Sequence, residues 1–143
     1  MAAGQPEKGS ARRPSRLVRN AILFACIAAG WVALDQLTKA AFERAGAAGA
    51  TELIPGVVGF KLVHNTGGAW GSFDGMTIAL AIFSLVICAA ILIYLFFYAP
   101  DSSSVLACGL ALVFAGGIGN IIDRFTVGYV IDFIQPLFID FPV

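Results

Sequence analysis

The sequence predicts a mainly α-helical, polytopic membrane protein with three spanning helices and a few short strands between them, and three observations carry that expectation. Apolar residues (AVILMFWYC) are 59% of the 143 residues and charged residues 13%, where soluble domains run near ~45–50% and ~25%. Mean hydropathy is +0.86, which is more apolar surface than so small a body can hide from water. The apolar residues are also gathered into runs suited to crossing ~30 Å of hydrocarbon, with the polar residues held between them. Composition narrows function as well. Nine basic and nine acidic residues cancel to a net charge of zero, so no global basic field recruits nucleic acid, and no nucleic-acid partner is expected. Cys26, Cys88 and Cys108 lack CxxC or Cys/His spacing, and there is a single histidine, His64. Neither a disulfide scaffold nor a metal centre is expected.

Residues 1–20 hold Lys8, Arg12, Arg13, Arg16 and Arg19 against Glu7 alone and read as a disordered basic tail, with the membrane domain following over 21–143. Ala21 to Leu34 is apolar or small throughout and predicts a first, rather short membrane helix, which Leu17, Val18 and Leu37 lengthen if Arg19 and Asn20 snorkel to the headgroups. The run leads into Asp35, Gln36 and Lys39 rather than a small-residue cleavage site, so retention is expected rather than removal as a signal peptide. Met76 to Tyr98 carries no charge and predicts the second helix, with Tyr94, Phe96, Phe97 and Tyr98 crowding one end as aromatic residues do at an interface. After the polar turn at 99–104, Val105 to Ile122 predicts the third. Ala107, Ala111, Ala115 and Gly119 recur every four residues along it, a smooth stripe on which another helix can approach closely. Between helices one and two, Thr51 to Asn65 alternates around a Pro55-Gly56 turn, and Thr126 to Ile134 has the same β-branched and aromatic flavour; short strands pairing with each other are expected.

Five Lys/Arg before helix one place the N-terminus in the cytoplasm. Three crossings then put Asp35, Lys39, Asn65, Asn120, Asp123, Arg124 and Asp132 at or beyond the outer face, although they come from separate stretches of chain. Polar groups beside hydrocarbon are expensive and tend to mark function. Asp35 and Lys39 are one helical turn apart and can pair, which suits a structural cap and a substrate contact equally. Asn65-Thr66-Gly67-Gly68 is turn-rich and weak alone. Asn120 and Arg124 share a helical face, from which Arg124 can donate to the carbonyls of an extended peptide or to a headgroup, or simply anchor the helix end. Asp132, flanked by Val130, Ile131, Phe133 and Ile134, suggests a desolvated carboxylate suited to proton exchange. Two such carboxylates sharing one proton can activate water against a peptide bond. Nothing orients Ser72 towards His64 for a serine mechanism.

Together, Asp35-Gln-Leu-Thr-Lys39, Asn65-Thr-Gly67, Gly116-Gly-Ile-Gly-Asn120-Ile-Ile-Asp123-Arg124 and Val130-Ile-Asp132-Phe-Ile134 resemble the lipoprotein signal peptidases, the type II signal peptidases of bacteria. The resemblance runs from about Ala21 to the end. It implies a four-helix aspartyl endopeptidase of the bacterial inner membrane, with a small extracytoplasmic sheet, both termini in the cytoplasm and the active site at the outer face. Its substrates would be diacylglyceryl-modified prolipoproteins, cut before the lipidated cysteine, with membrane lipids as surroundings and a monomer as the expected state. Carried over by motif, Asp132 matches one catalytic aspartate. Asn120 and Arg124 match residues that hold the substrate backbone, Asn65, Asp35 and Lys39 match polar residues around the site, and Asp123 and Gly67 match structural positions. No metal or organic cofactor is implied. The family's second aspartate belongs to a Phe-Asn-x-Ala-Asp motif opening a fourth helix, and the sequence reaches Phe141-Pro142-Val143 where that motif would begin. Asp140 sits in an unmatched segment and is expected in the preceding loop. The peptidase domain is therefore expected to be incomplete at its C-terminal end, with the second acid beyond Val143. Two other readings stand behind that one: a chain that binds lipoprotein signal peptides without cleaving them, and a small membrane scaffold or transporter subunit.

Overall fold

The computed structural model describes residues 15–46, 51–68, 72–73 and 75–138. Helix α1 spans Arg16–Ala45, strands β1 Thr51–Ile54 and β2 Val58–Asn65, helix α2 Thr77–Ile93, helix α3 Ser104–Thr126 and strand β3 Val130–Pro136. Three helical stretches, Arg16–Ala45, Thr77–Tyr98 and Ser104–Thr126, are long and apolar enough to cross a membrane, and the chain is a mainly helical multi-pass membrane protein with a small sheet.

Helix α1 departs most from expectation. It begins at Arg16, inside the stretch assigned to the tail, because the Ser15 hydroxyl accepts the Val18 N–H at 3.3 Å and caps the first turn. Residues 1–14 lie outside the described set. The helix is not short: its 30 residues make about 45 Å of rod, longer than the ~30 Å of hydrocarbon. Asp35, Gln36 and Lys39 do not end it, since α3 satisfies them, and the final turns carry Phe42 and Glu43 onwards to the sheet. Asn20 does not snorkel. It is 1% exposed; its Nδ2 donates to the Ser102 carbonyl at 2.8 Å and its Oδ1 accepts from Ser104 Oγ at 3.1 Å. An amide at this depth finds its partners in the turn between α2 and α3 rather than in water.

Helix α2 runs on through one π-helical turn, Tyr94–Tyr98, closed by the Ala99 N–H on the Tyr94 carbonyl at 2.9 Å. Helix α3 packs against both α1 and α2. Its small-residue stripe does what its spacing foretold: Ala107, Ala111, Ala115 and Gly119 are all buried. Phe24 and Ala28 of α1 and Ile91 of α2 join Leu95, Ala107 and Ala111 in one core, with the Phe24 ring 5.2 Å from that of Phe114. On the α2 side, a Cβ at Gly117 would stand 2.8 Å from Cys88 Sγ, so the two helices meet there at near-backbone distance.

The sheet is antiparallel in the order β1-β2-β3. Thr126, expected in a strand, closes α3 instead, and Gly128 at φ +88° turns the chain into β3, a dihedral that a side chain would strain. Pairing of β2 with β3 sets Val63 opposite Asp132 and Asn65 opposite Val130. One sheet face is fastened to the C-terminal end of α1: Phe42 stacks on Phe133 at 4.2 Å and lies 5.3 Å from Phe60. Beside them, His64 Nε2 meets Glu43 Oε1 at 2.7 Å and the His64 ring stacks on Tyr129.

Candidate active site

Two polar groupings form where α1 and α3 meet the sheet. The first surrounds Lys39, which is 4% exposed. Its ammonium lies 2.9 Å from Asp35 Oδ2 and 2.7 Å from Asp123 Oδ2, and 3.4 Å from Asn120 Oδ1. Three acceptors match the three hydrogens of an ammonium, so none is left over. Gln36 Nε2 adds contacts to Asp35 Oδ2 at 3.1 Å, the Gly119 carbonyl at 3.3 Å and Asp123 Oδ1 at 3.0 Å. Glycine at 119 is what admits this arrangement, because a Cβ there would collide with the Asp35 carboxylate. Burying these charges is tolerable only because each is paired and hydrogen-bonded.

The second grouping joins the loop after β2 to the ends of α3 and β3. Asn65 folds back on its own loop, its Oδ1 accepting the Gly67 N–H at 2.9 Å, and its Nδ2 donates to Asp132 Oδ2 at 2.9 Å and to the Gly68 carbonyl at 3.4 Å. Arg124, in the last turn of α3 and 7% exposed, donates from Nη2 to the Gly67 carbonyl at 3.1 Å. Its Nε is buried with no hydrogen-bond partner among the described residues.

Asp132 itself is exposed, not wrapped in its apolar sequence neighbours. Alternation along β3 explains the difference: Phe133 turns to the opposite face, where it stacks on Phe42, while Asp132 shares a face with its cross-strand partner Val63. The two groupings are joined through β3, whose Ile131 N–H donates to Asp123 Oδ2 at 3.3 Å. The structure thus gathers Asp35, Lys39, Asn65, Gly67, Asn120, Asp123, Arg124 and Asp132 into one connected region. Gln36 was missed from sequence, although its place between Asp35 and Lys39 in an otherwise apolar helix was a usable signal. Asp140 lies outside the described residues.

The family described as Signal peptidase (SPase) II matches residues 27–143. The chain belongs to the signal peptidase II family. Among its relatives, the lipoprotein signal peptidase of Enterococcus faecalis is 34% identical over 128 residues, covering 89% of this chain and 79% of that one. The lipoprotein signal peptidase of Gloeothece citriformis is 42% identical over 114 residues, covering 77% and 69%. Two solved structures of a bacterial membrane enzyme, obtained by the in meso method at 2.3 and 1.9 Å resolution, align with TM-scores of 0.70 and 0.67 at 31% identity, each over 84% of this chain; they are covered over 74% and 79% of their own length. Signal peptidase II is an aspartic-type peptidase family, and the matched span takes in all four motifs quoted above.

Proposed function

We propose that this signal peptidase II hydrolyses the peptide bond joining a signal peptide to the diacylglyceryl-modified cysteine of a prolipoprotein, with Asp132 as one of two catalytic carboxylates. The observation that carries the reading is the meeting of an exposed carboxylate, Asp132, with the Asn65 amide that orients it at 2.9 Å. Around it stand groups with bonding capacity to spare. Arg124 Nε–H has no partner among the described residues, and Asn120 accepts from Lys39 through Oδ1, which leaves its amide nitrogen to donate. Both can hold carbonyls of an extended substrate, whereas Lys39, Asp35 and Asp123 bond one another and serve as framework.

In the reaction, one carboxylate takes a proton from water as the water oxygen attacks the scissile carbonyl carbon, and the other, protonated, gives its proton to the carbonyl oxygen. The tetrahedral diol then collapses: the C–N bond breaks, the amine nitrogen gains a proton, and the dyad regains its single shared proton. The partner carboxylate is expected outside the described residues, and Asp132 is available to either role because both water and substrate can reach it. Arg16 and Arg19 at the start of α1 support a cytoplasmic N-terminus, which puts the site at the outer face of the bacterial inner membrane. There the lipid anchor of the substrate stays in the bilayer while the peptide bond lies at the interface.

The test is to express the full-length protein in bacteria depleted of their own signal peptidase II and to follow conversion of prolipoprotein to the shorter mature form. Asp132→Asn should leave the precursor uncleaved while inserting normally. Normal processing by that variant overturns the assignment.

A further inference from the structure

We propose that Gln36 is a positioning residue for Asp132, acting through the Asp123 carboxylate and the backbone of β3. The inference rests on Asp132 being a catalytic acid. Asp123 is the junction: its Oδ1 accepts from Gln36 at 3.0 Å, and its Oδ2 accepts from Lys39 at 2.7 Å and from the Ile131 N–H at 3.3 Å. Strand β3 lies at the edge of the sheet, where N–H groups on the outer side have no strand to pair with. Asp123 supplies the acceptor at Ile131, and the next residue is Asp132. A rotation of the Asp123 carboxylate is therefore passed to the Val130–Ile131 peptide, one residue ahead of Asp132, while Asn65 holds the Asp132 carboxylate from β2.

Charge explains why an amide stands at 36. Lys39 is shared between Asp35 and Asp123, so one cation faces two carboxylates and leaves the cluster short of donors in a poorly solvated place. Gln36 supplies further N–H groups, bridging α1 to α3, without adding charge. A glutamate of equal length would set a third carboxylate against Asp35 on its own helix and Asp123 on α3, with Lys39 the cation in contact and Arg124 one residue beyond Asp123. Ionised, that group would repel both carboxylates and have no hydrogen to give; protonated, it could donate in place of the amide, so the exchange makes the bridge depend on pH.

The experiment measures kcat and KM of the full-length wild type, Gln36→Glu, Gln36→Met and Asp132→Asn on a lipidated prolipoprotein substrate from about pH 5 to 9, together with the melting temperature at each pH. Gln36→Glu should lose kcat by about tenfold at the alkaline end, the scale of one hydrogen bond to a charged group, and regain it as pH falls, with KM unchanged. Gln36→Met should lose kcat by a similar factor at every pH. Wild-type kcat in Gln36→Met overturns the proposal, as does a Gln36→Glu profile parallel to the wild type or a loss that follows melting temperature alone. If Gln36→Glu does not fold, Gln36→Met decides. Full activity in Asp132→Asn removes the catalytic reading itself, whereas an inactive Asp132→Asn beside an unimpaired Gln36→Met removes only the role of Gln36.

Discussion

The two polar groupings at the C-terminal ends of α1 and α3 draw on the same residue types and yet are built to opposite rules. Around Lys39 each bond is closed: the ammonium has three acceptors, Asp123 is 2% exposed with both oxygens occupied, and Gln36 spans the gap between helices. Around Asp132 bonds are left open: the carboxylate is exposed and fixed by Asn65, and Arg124 Nε is buried without a partner among the described residues. Charge that is buried with its hydrogen bonds closed acts as a fastening, because removing a partner leaves an ion uncompensated. Charge that is held yet unsaturated can accept a substrate or a proton. The contrast separates framework from chemistry among aspartates that sequence position alone does not distinguish, Asp123 and Asp132 being nine residues apart.

Substitutions in the two groupings should therefore fail in different ways. The largest effect is expected from Asp132→Asn, which keeps shape and can still bond Asn65 after a flip of either amide. Loss of an acid–base group is worth roughly 10²–10⁴ in rate, so prolipoprotein conversion should fall by at least a hundredfold while the melting temperature stays near wild type. A melting temperature that drops in step with activity would move Asp132 into the framework class and erase the comparison. Lys39→Met should behave in the reverse sense. It leaves Asp35 and Asp123 facing each other without their cation, and removing one partner of a buried ion pair costs about 3–5 kcal/mol. Thermal unfolding in detergent and the yield of folded protein report it; a variant of normal stability but lost activity would return Lys39 to the substrate-contact role.

Much of this division was legible in the sequence, and the remainder was hidden for identifiable reasons. Local spacing announced the Asp35–Lys39 pair, the Ala107–Gly119 stripe and the common face of Asn120 and Arg124, because helical geometry fixes which residues meet at three and four positions apart. Pairing of β2 with β3 was readable from composition and turns. What spacing could not convey was satisfaction by distant chain. Asp35, Gln36 and Lys39 look like the end of a membrane helix until Asn120 and Asp123 are seen to meet them, and Asn20 looks like a headgroup contact until the turn holding Ser102 is placed beside it. The environment of Asp132 was misjudged for a different reason: its immediate neighbours in the strand, Ile131 and Phe133, lie on the other face.

Gly119→Ala probes the framework more gently. The added Cβ would collide with the Asp35 carboxylate, which must withdraw from Lys39 or push α1 away from α3. Overpacking of this kind costs about 1–3 kcal/mol, so unfolding should come at lower temperature, and Gly119→Ser should be at least as damaging. Because Asp35 and Gln36 both lean on this point, some loss of kcat should accompany the loss of stability. An alanine variant as stable as wild type would mean that α1 and α3 are less tightly apposed than the Asp35–Gly119 contact requires.

The smallest effect is expected at the opposite end of the helices, where Asn20→Ala tests whether a closed polar contact remote from Asp132 matters to catalysis at all. The amide gives up its bond to the Ser102 carbonyl and its bond from Ser104 Oγ. Alanine also leaves that carbonyl and hydroxyl to find other partners, so the cost should be near 1–3 kcal/mol before relaxation and about 1 kcal/mol if water or lipid headgroups reach the turn. Since this clasp joins α1 to the α2–α3 turn and touches no residue of the candidate site, kcat and KM should stay at wild-type values below the melting transition. Asn20→Asp makes the same point more sharply. A carboxylate can still accept from Ser104 Oγ but has no hydrogen to offer the Ser102 carbonyl, so stability should fall further while catalysis again stays unchanged. A change in kcat from either variant would mean that the candidate site senses the register of α1 along α3, and that the Lys39 grouping is a coupling between the two ends rather than a local fastening.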